Sequence, residues 1–257
     1  MDATIPLPRL RFVPMLPYWA VLQTDLRQTI RGWVWRTWVM TSVLAAVGYL
    51  LYRLGVYREA GIVQHASTVT GDLLRWPLLG TVLLVVVLAV SAMTAERGTL
   101  ADAVLSRGIS RRQYFMAKLH SRLASVLITF VTLTALVLTV SHYMLHEDLS
   151  FDGCAIGLMA LASILTLIIT CGVAIGALVS TTVFGVSIVW LGLYACAFGL
   201  SLLPNGYSTP DRLLAKLPQI LAGQYDSASL TNMIWAALGA SLIVALLGMM
   251  GFSRSDV

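Results

Sequence analysis

The feature that most constrains this chain is the length of its uncharged stretches. Residues 153–209 contain no Asp, Glu, Lys or Arg, and the same is true of residues 77–95 and 123–143. An α-helix rises about 1.5 Å per residue, so about 20 apolar residues cross the hydrocarbon core of a bilayer. Inside that core the backbone must satisfy its own hydrogen bonds, which favours helices. The sequence therefore predicts an all-α integral membrane protein forming a single domain over residues 1–257.

The uncharged stretches predict six transmembrane helices. Span one is 33–52, whose single charge, Arg36, lies near enough to the span end to extend to the headgroups. Spans two and three are 77–95 and 123–143. Residues 153–209 are too long for one helix, and the polar run 180–182 is the predicted break between spans four and five. Span six is 230–252. Only 11% of residues are charged, against about a quarter in a soluble domain.

The distribution of Lys and Arg predicts the orientation, because loops rich in these residues stay in the cytoplasm. Most cations fall on one side of the predicted bundle: Arg9, Arg11, Arg27, Arg31, Arg36, Arg97, Arg107, Arg111, Arg112, Lys118, Arg122 and Arg254. The other side has Arg53, Arg58, Arg75, Arg212 and Lys216, and the loop 142–152 has acids but no Lys or Arg. Both chain ends are therefore expected in the cytoplasm.

The net charge of +5 is explained by anionic lipid beside the membrane ends, so nucleic-acid binding is not expected. The first apolar run begins some thirty residues into the chain, so no cleavable signal peptide is predicted and span one should remain. The expected location is the inner (cytoplasmic) membrane, with several passes. The cysteines Cys154, Cys171 and Cys196 show no metal-ligand spacing and are interpreted as small packed residues.

An interfacial helix is predicted over 18–31, before span one. Its apolar residues recur at steps of three and four and oppose Gln23, Arg27 and Arg31; they are Trp19, Leu22, Leu26 and Ile30. An apolar stripe backed by cations is typical of a helix that lies in the membrane interface. The alternative is that this segment is the cytoplasmic beginning of span one.

The two expected external segments, 56–76 and 207–227, give different amounts of structural information. Residues 56–76 are expected to form a loop of mixed charge with a short helix. Residues 207–227 predict an amphipathic helix, in which Thr209 is the N-cap, Pro210 the first helical residue and Asp211 part of the first turn. Its apolar face consists of Leu213, Leu214, Leu217, Ile220 and Leu221. This face either lies on the outer surface of the bundle or dips back into it, with Pro218 bending the helix.

Small residues indicate where membrane helices pack closely. Gly172, Gly176 and Ser180 are four apart on span four, and Gly185, Gly192 and Gly199 are seven apart on span five. Packing within the chain is the default interpretation. The alternative is an interface between two subunits.

The spans contain no arrangement of residues that predicts catalysis. The histidines His65, His120, His142 and His146 fall in loops or at span ends, and no acid pair or serine with a histidine at matching depth can be assembled. Midplane acids or histidines, which proton- or ion-coupled carriers use, are also missing. The chain is therefore expected to be non-catalytic and to hold no cofactor or metal.

The most informative segment is cytoplasmic, over 95–122. Glu96 leaves span two, Gly98 and Thr99 break the helix, and Leu100, Val104 and Leu105 predict a short amphipathic helix ending at Gly108. Ser110 then caps a second helix with a polar side formed by Arg111, Arg112 and Lys118. Such a segment presents an apolar surface to a cytoplasmic partner. The alternative is a solvated basic loop that obeys the positive-inside rule.

This segment resembles the permease subunits of the type-2 family of ATP-binding-cassette (ABC) transporters. The family has an acidic exit from span two, Gly-Thr-Leu, a Leu-rich helix ending in Ser, and a Pro-Ile-Ser-Arg turn before a Lys. The matching residues here are Glu96, Gly98, Thr99, Leu100, Leu105, Ser106, Ile109, Ser110, Arg111 and Lys118. Gly108 replaces the family's proline, and the acidic stretch is shorter. The interfacial helix, the turn near 177–180 and the external helix before span six are also similar to the family.

The resemblance implies that the segment is the coupling helix of a membrane subunit. In the family it docks on a separate ATP-hydrolysing subunit that holds ATP and Mg, and two permease chains, identical or homologous, pair around a central path. This chain has no GxxxxGK[ST] phosphate loop, so the ATPase would be another polypeptide. The leading hypothesis is the permease of an ABC exporter. The alternative is a membrane scaffold that recruits a cytoplasmic partner without transport.

Overall fold

The computed structural model describes residues 15–60, 65–95, 109–145, 148–202 and 209–254. Within these ranges the chain is all-helical, without a β-strand. The helices, in chain order, are α1 (Leu16–Arg31), α2 (Trp33–Ala60), α3 (Ala66–Thr94), α4 (Arg111–Met144), α5 (Phe151–Leu178), α6 (Thr182–Ser201), α7 (Pro210–Leu221) and α8 (Ser227–Arg254). The all-helical class is therefore as the sequence predicts.

Five of these helices are long and apolar enough to cross a membrane, which makes this a multi-pass membrane protein. The qualifying ranges are Trp33–Val56, Arg111–Tyr143, Phe151–Leu178, Thr182–Ser201 and Ser227–Arg254. The predicted break in 153–209 is confirmed, since α5 ends at Leu178 and α6 begins at Thr182. In α3 the apolar range Thr81–Thr94 falls below the length of a full span among the described residues.

Contacts between helix ends define two ends of the bundle. At the first, which we call the α1 end, α1, the start of α4 and the end of α8 share one core, in which Phe252 stacks on Tyr114 at a centroid distance of 6.2 Å. The end of α3 joins the start of α6 there, where the hydroxyls of Thr94 and Thr182 are 2.7 Å apart. Both described ends of the chain thus lie at the same end of the bundle.

The opposite end, which we call the α7 end, joins the remaining helix ends. Arg53 of α2 forms an ion pair with Asp72 of α3, with 3.0 Å between Nη2 of Arg53 and Oδ2 of Asp72. Asp148, which precedes α5, accepts a 2.8 Å hydrogen bond from the backbone N–H of Ser67 and a second one from its hydroxyl. The bundle is therefore held at both ends by polar contacts as well as by its core.

The glycines of α5 pack within the chain. A Cβ at Gly172 would lie 2.5 Å from Cβ of Ala89, and one at Gly176 would lie 2.5 Å from the carbonyl oxygen of Val90, both on α3. Internal packing is thus the correct interpretation for these two. The glycines of α6 differ in their surroundings. Gly185 packs on Val90, whereas a Cβ at Gly192 or Gly199 would meet no atom within 4 Å among the described residues.

Two predictions about the α7 end change. The loop expected over 56–76 is wrong, because α2 continues to Ala60 and α3 begins at Ala66; helical hydrogen bonding continues past the apolar residues. The predicted apolar face of α7 is buried against the rest of the bundle. Leu213, Leu217 and Leu221 are buried beside Ala160 and Leu165 of α5. Thr209 is the N-cap residue, although its hydroxyl caps no backbone N–H.

Candidate functional site

Most of the predicted coupling segment lies outside the described residues, namely Glu96, Gly98, Thr99, Leu100, Val104, Leu105 and Ser106. Its final part is described and begins α4. Ser110 is the N-cap: its hydroxyl accepts a 3.2 Å hydrogen bond from the backbone N–H of Gln113, and the Gln113 side chain accepts a 3.4 Å hydrogen bond from the Ser110 N–H. This reciprocal capping box fixes where α4 begins. The cap predicted at Ser110 is confirmed, and Arg111 is the first residue of the helix.

A buried ionic cluster joins α1 to α4 about two to three turns beyond this cap. The ammonium of Lys118 lies 2.6 Å from Oδ1 of Asp25, and the guanidinium of Arg122 lies 3.5 Å from the same oxygen. Arg122 also donates a hydrogen bond to the hydroxyl of Thr29. Asp25 and Lys118 are only 3% and 2% exposed. We call Asp25, Thr29, Lys118 and Arg122 the ionic cluster.

The spacing of these residues explains how two helices build the cluster. Asp25 and Thr29 are four apart on α1, and Lys118 and Arg122 are four apart on α4, so each pair occupies one helix face. Two cations, Lys118 and Arg122, face the one carboxylate of Asp25. Removing charges from water costs several kcal/mol per ion, which good geometry must offset. The cluster therefore makes the α1–α4 contact specific in register.

The ionic cluster contains one residue whose predicted position is wrong, Lys118, and one that was not predicted, Asp25. Lys118 was predicted on the polar side of the second helix, but it is buried against α1 because Asp25 compensates its charge. Asp25 was not singled out from the sequence at all. The available signal was an acid in the middle of an otherwise cationic amphipathic helix, together with basic residues at i and i+4 on a helix entering the membrane.

The surroundings of the cluster are aromatic and apolar. The Lys118 ammonium lies 5.7 Å from the ring centroid of Tyr114, within range of a cation–π interaction. Two turns before Asp25 on α1, the Tyr18 hydroxyl forms a 2.8 Å hydrogen bond with Nδ1 of His120. Burial raises the pKa of the Tyr18 phenol above its usual value, so the phenol stays neutral at physiological pH. Val21 packs into the core that contains Phe252.

The outer face of α1 matches the predicted stripe in part. Trp19 is 61% exposed and Ile30 is also exposed, whereas Leu22 and Leu26 are half-buried. Arg27 is exposed beside them and lines a shallow hollow with Arg31 and Gln28. α1 therefore has one face buried on α4 and another that presents large apolar groups and cations outward, and the two faces are distinct.

The described residues contain no cluster that could hold a metal ion. The cysteines are not paired with one another; Cys154 and Cys171 are half-buried, while Cys196 is exposed on α6, so its interpretation as a packed residue is wrong. Several side-chain polar contacts join helices, among them those of the ionic cluster and the Thr94–Thr182 pair. What the ionic cluster can do chemically is hold two helices in one relative position.

Comparison of the sequence with protein-family models and with curated proteins gives no match. The function must therefore be argued from the arrangement of the chain itself.

Proposed function

We propose that the chain is the membrane-spanning subunit of an ABC transporter, which moves a substrate when a separate ATPase closes on its cytoplasmic surface. The observation that carries this proposal is the ionic cluster. It fastens α1 to α4 directly after the segment that resembles a coupling helix. A force applied to the segment would reach α4 through its capped first turn and would move α1 with it.

The proposal includes six spans, with α3 as the sixth. α3 has 29 residues, which correspond to about 43 Å at about 1.5 Å per residue, more than the hydrocarbon thickness of about 30 Å. It contacts Arg53 at the α7 end and Thr182 at the α1 end. Both described chain ends meet at the α1 end, which supports an even number of crossings. The α1 end is the cytoplasmic one by the positive-inside rule.

The mechanism we propose is a shift between two states of the bundle. Closure of two ATPase subunits would move the coupling segment, and the buried charges would transmit the movement because breaking them costs several kcal/mol. Binding to the partner favours one state only through contacts that differ between the states. Under this proposal the chain itself is non-catalytic, and ATP and Mg belong to the partner.

A second copy of the chain, or a homologous one, is the further partner in this proposal. The exposed face of α6 supports it, because Gly192 and Gly199 leave space that another helix could approach closely. The remaining surface of α6 is strongly apolar, with Leu191, Tyr194 and Phe198 exposed. Lipid also suits this face. Crosslinking between two copies therefore tests the dimer.

The first experiment is extraction of the chain from native membranes in mild detergent, followed by mass spectrometry of the proteins that co-purify. A stoichiometric subunit with a phosphate-binding loop is the expected result. Recovery of the chain alone, or with a partner lacking that loop, both in detergent and in lipid nanodiscs, would refute the transporter and favour a scaffold. Crosslinking cysteines introduced at Gly192 and Gly199 tests the second chain, with Gly239 on α8, which also meets no described atom within 4 Å, as the matched control.

A further inference from the structure

A cavity of about 180 Å³ lies between α2, α3 and α4 and extends from Trp38, in the core of the α1 end, toward the α7 end. Its walls are almost entirely hydrocarbon, and the polar residues among the lining side chains are Ser42, Thr81 and Thr134. An apolar cavity of about 150 Å³ is known to stay dry and to take up a small hydrocarbon. This cavity is larger and also mainly apolar, so water is a poor occupant and hydrocarbon a good one.

The cavity follows α2 over slightly more than the depth of one leaflet. Its lining on this helix runs from Trp38 to Leu50, which is about 18 Å at about 1.5 Å per residue, against a hydrocarbon core of about 30 Å. The cavity opens toward the surrounding membrane, because lining residues Val43, Val47 and Leu136 are themselves exposed. α2 and α4 are both of spanning length, so the molecules at this opening are lipids.

A polar group lies one turn beyond the apolar lining. Arg53 follows Leu50 by three residues on α2, and Asp72 directly precedes Leu73, so the ion pair of Arg53 with Asp72 lies next to residues that line that end of the cavity. Tyr49 joins it, donating to Asp72 Oδ2 at 2.9 Å and accepting from Arg53. The Arg53 side chain is 28% exposed. The contacts of Arg53 with described residues use its Nε and Nη2 atoms. An arginine has five N–H donors in all.

We propose that this cavity is a binding site for a membrane phospholipid, with one acyl chain between α2, α3 and α4 and the phosphate at Arg53. The acyl chain fits the dry walls, the length of one leaflet and the lateral opening. The phosphate fits the remaining N–H donors of a cation at the headgroup level. The inference goes beyond the proposed transport function, because it requires no ATPase and its test uses none.

The test labels the full-length protein in lipid nanodiscs with a phosphatidylcholine that carries a photoactivatable diazirine on one acyl chain. Wild type is expected to be labelled mainly on peptides from the lining parts of α2 and α4. Ala46→Trp, which fills the cavity, is expected to lower that labelling at least fivefold. Ala45→Trp is the matched control, because Ala45 is exposed and does not line the cavity.

A second pair of variants guards against misfolding of the filled variant. Val43→Trp obstructs the opening from an exposed position, and Leu44→Trp adds the same side chain to the neighbouring exposed residue that does not line the cavity. Reduced labelling in Val43→Trp alone supports the site. Equal labelling of both variants, or labelling spread evenly around the bundle, would show only lipid at the protein surface and would overturn the proposal.

The proposed contact between the lipid phosphate and Arg53 is tested separately. A diacylglycerol probe with the same diazirine chain lacks the phosphate, so wild type is expected to prefer the phospholipid probe several-fold. The double variant Arg53→Gln, Asp72→Asn keeps the net charge of the pair and should abolish this preference while leaving acyl labelling in the cavity. A preference that survives in the double variant would remove Arg53 from the site.

Discussion

Asp25 is expected to be the most sensitive residue of α1. Replacing it by Ala leaves Lys118 and Arg122 buried without the carboxylate oxygen that lies 2.6 Å and 3.5 Å from them. Breaking a buried ion pair from one side costs about 3–5 kcal/mol. With about 2–4 °C per kcal/mol for a chain of this size, the unfolding midpoint should fall by roughly 6–20 °C. Thermal unfolding of the protein in one detergent, followed by tryptophan fluorescence, measures this shift.

The structure predicts a specific order of stability losses among the variants, which a nonspecific effect of mutation would not produce. Lys118→Met should cost less than Asp25→Ala, about 1–3 kcal/mol, because Arg122 remains near Asp25. The double variant Asp25→Asn, Lys118→Met should recover part of the loss of Asp25→Ala, since it removes one buried cation together with the anion. Gln23→Ala, on the exposed side of α1, is the control. An Asp25→Ala midpoint within about 1 °C of that control would refute the reasoning.

Three further variants test other contacts by the same unfolding assay. Gly153→Ala places a Cβ against the carbonyl oxygen of Ile220 and should lose about 1–3 kcal/mol through overpacking. Gly239→Ala, where a Cβ meets no described atom within 4 Å, should instead gain up to about 1 kcal/mol from the higher helix propensity of alanine, and equal midpoints would contradict the α5–α7 packing. Ser110→Ala removes the cap of α4 and should cost about 1 kcal/mol, with Ser187→Ala, whose hydroxyl bonds only within its own helix, as the comparison. Thr94→Val deletes the 2.7 Å hydroxyl contact with Thr182 and should cost about 0.5–1.5 kcal/mol, and no change would mean that this contact does not stabilise the α1 end.

Apolar patterning was enough to predict the helical class and most spans. The uncharged stretches gave the positions of α2, α4, α5, α6 and α8, and the break at 180–182, because hydrocarbon imposes both the length and the helical backbone. The N-cap at Ser110 was also readable, since a capping box is a local pattern. α7 was predicted from Thr209, Pro210 and its apolar face for the same reason.

Contacts between distant residues could not be predicted in this way. Asp25 and Lys118 are 93 residues apart, and nothing local distinguishes a buried, paired lysine from one on a solvated face. The choice between internal packing and a subunit interface was also undecidable from spacing, because Gly176 meets α3 while Gly192 meets open space. Such outcomes depend on how helices pair in three dimensions, which a pattern along one helix does not encode.

The two candidate functions place different demands on the ionic cluster, and this difference separates them. A transporter needs α1 and α4 to move together when the ATPase closes, whereas a scaffold needs only a stable surface for its partner. The double variant Asp25→Asn, Lys118→Met loosens the α1–α4 connection while removing one buried charge pair.

Below its unfolding midpoint, that double variant in a reconstituted complex should keep its ATPase bound but lose most of the stimulation of ATP hydrolysis by the membrane subunit. Lys118→Arg, which keeps the charge, is the control and should retain most of it. Full stimulation in the double variant, with the partner still bound, would mean that the α1–α4 connection does not transmit movement, and the mechanism proposed for this chain would have to be abandoned.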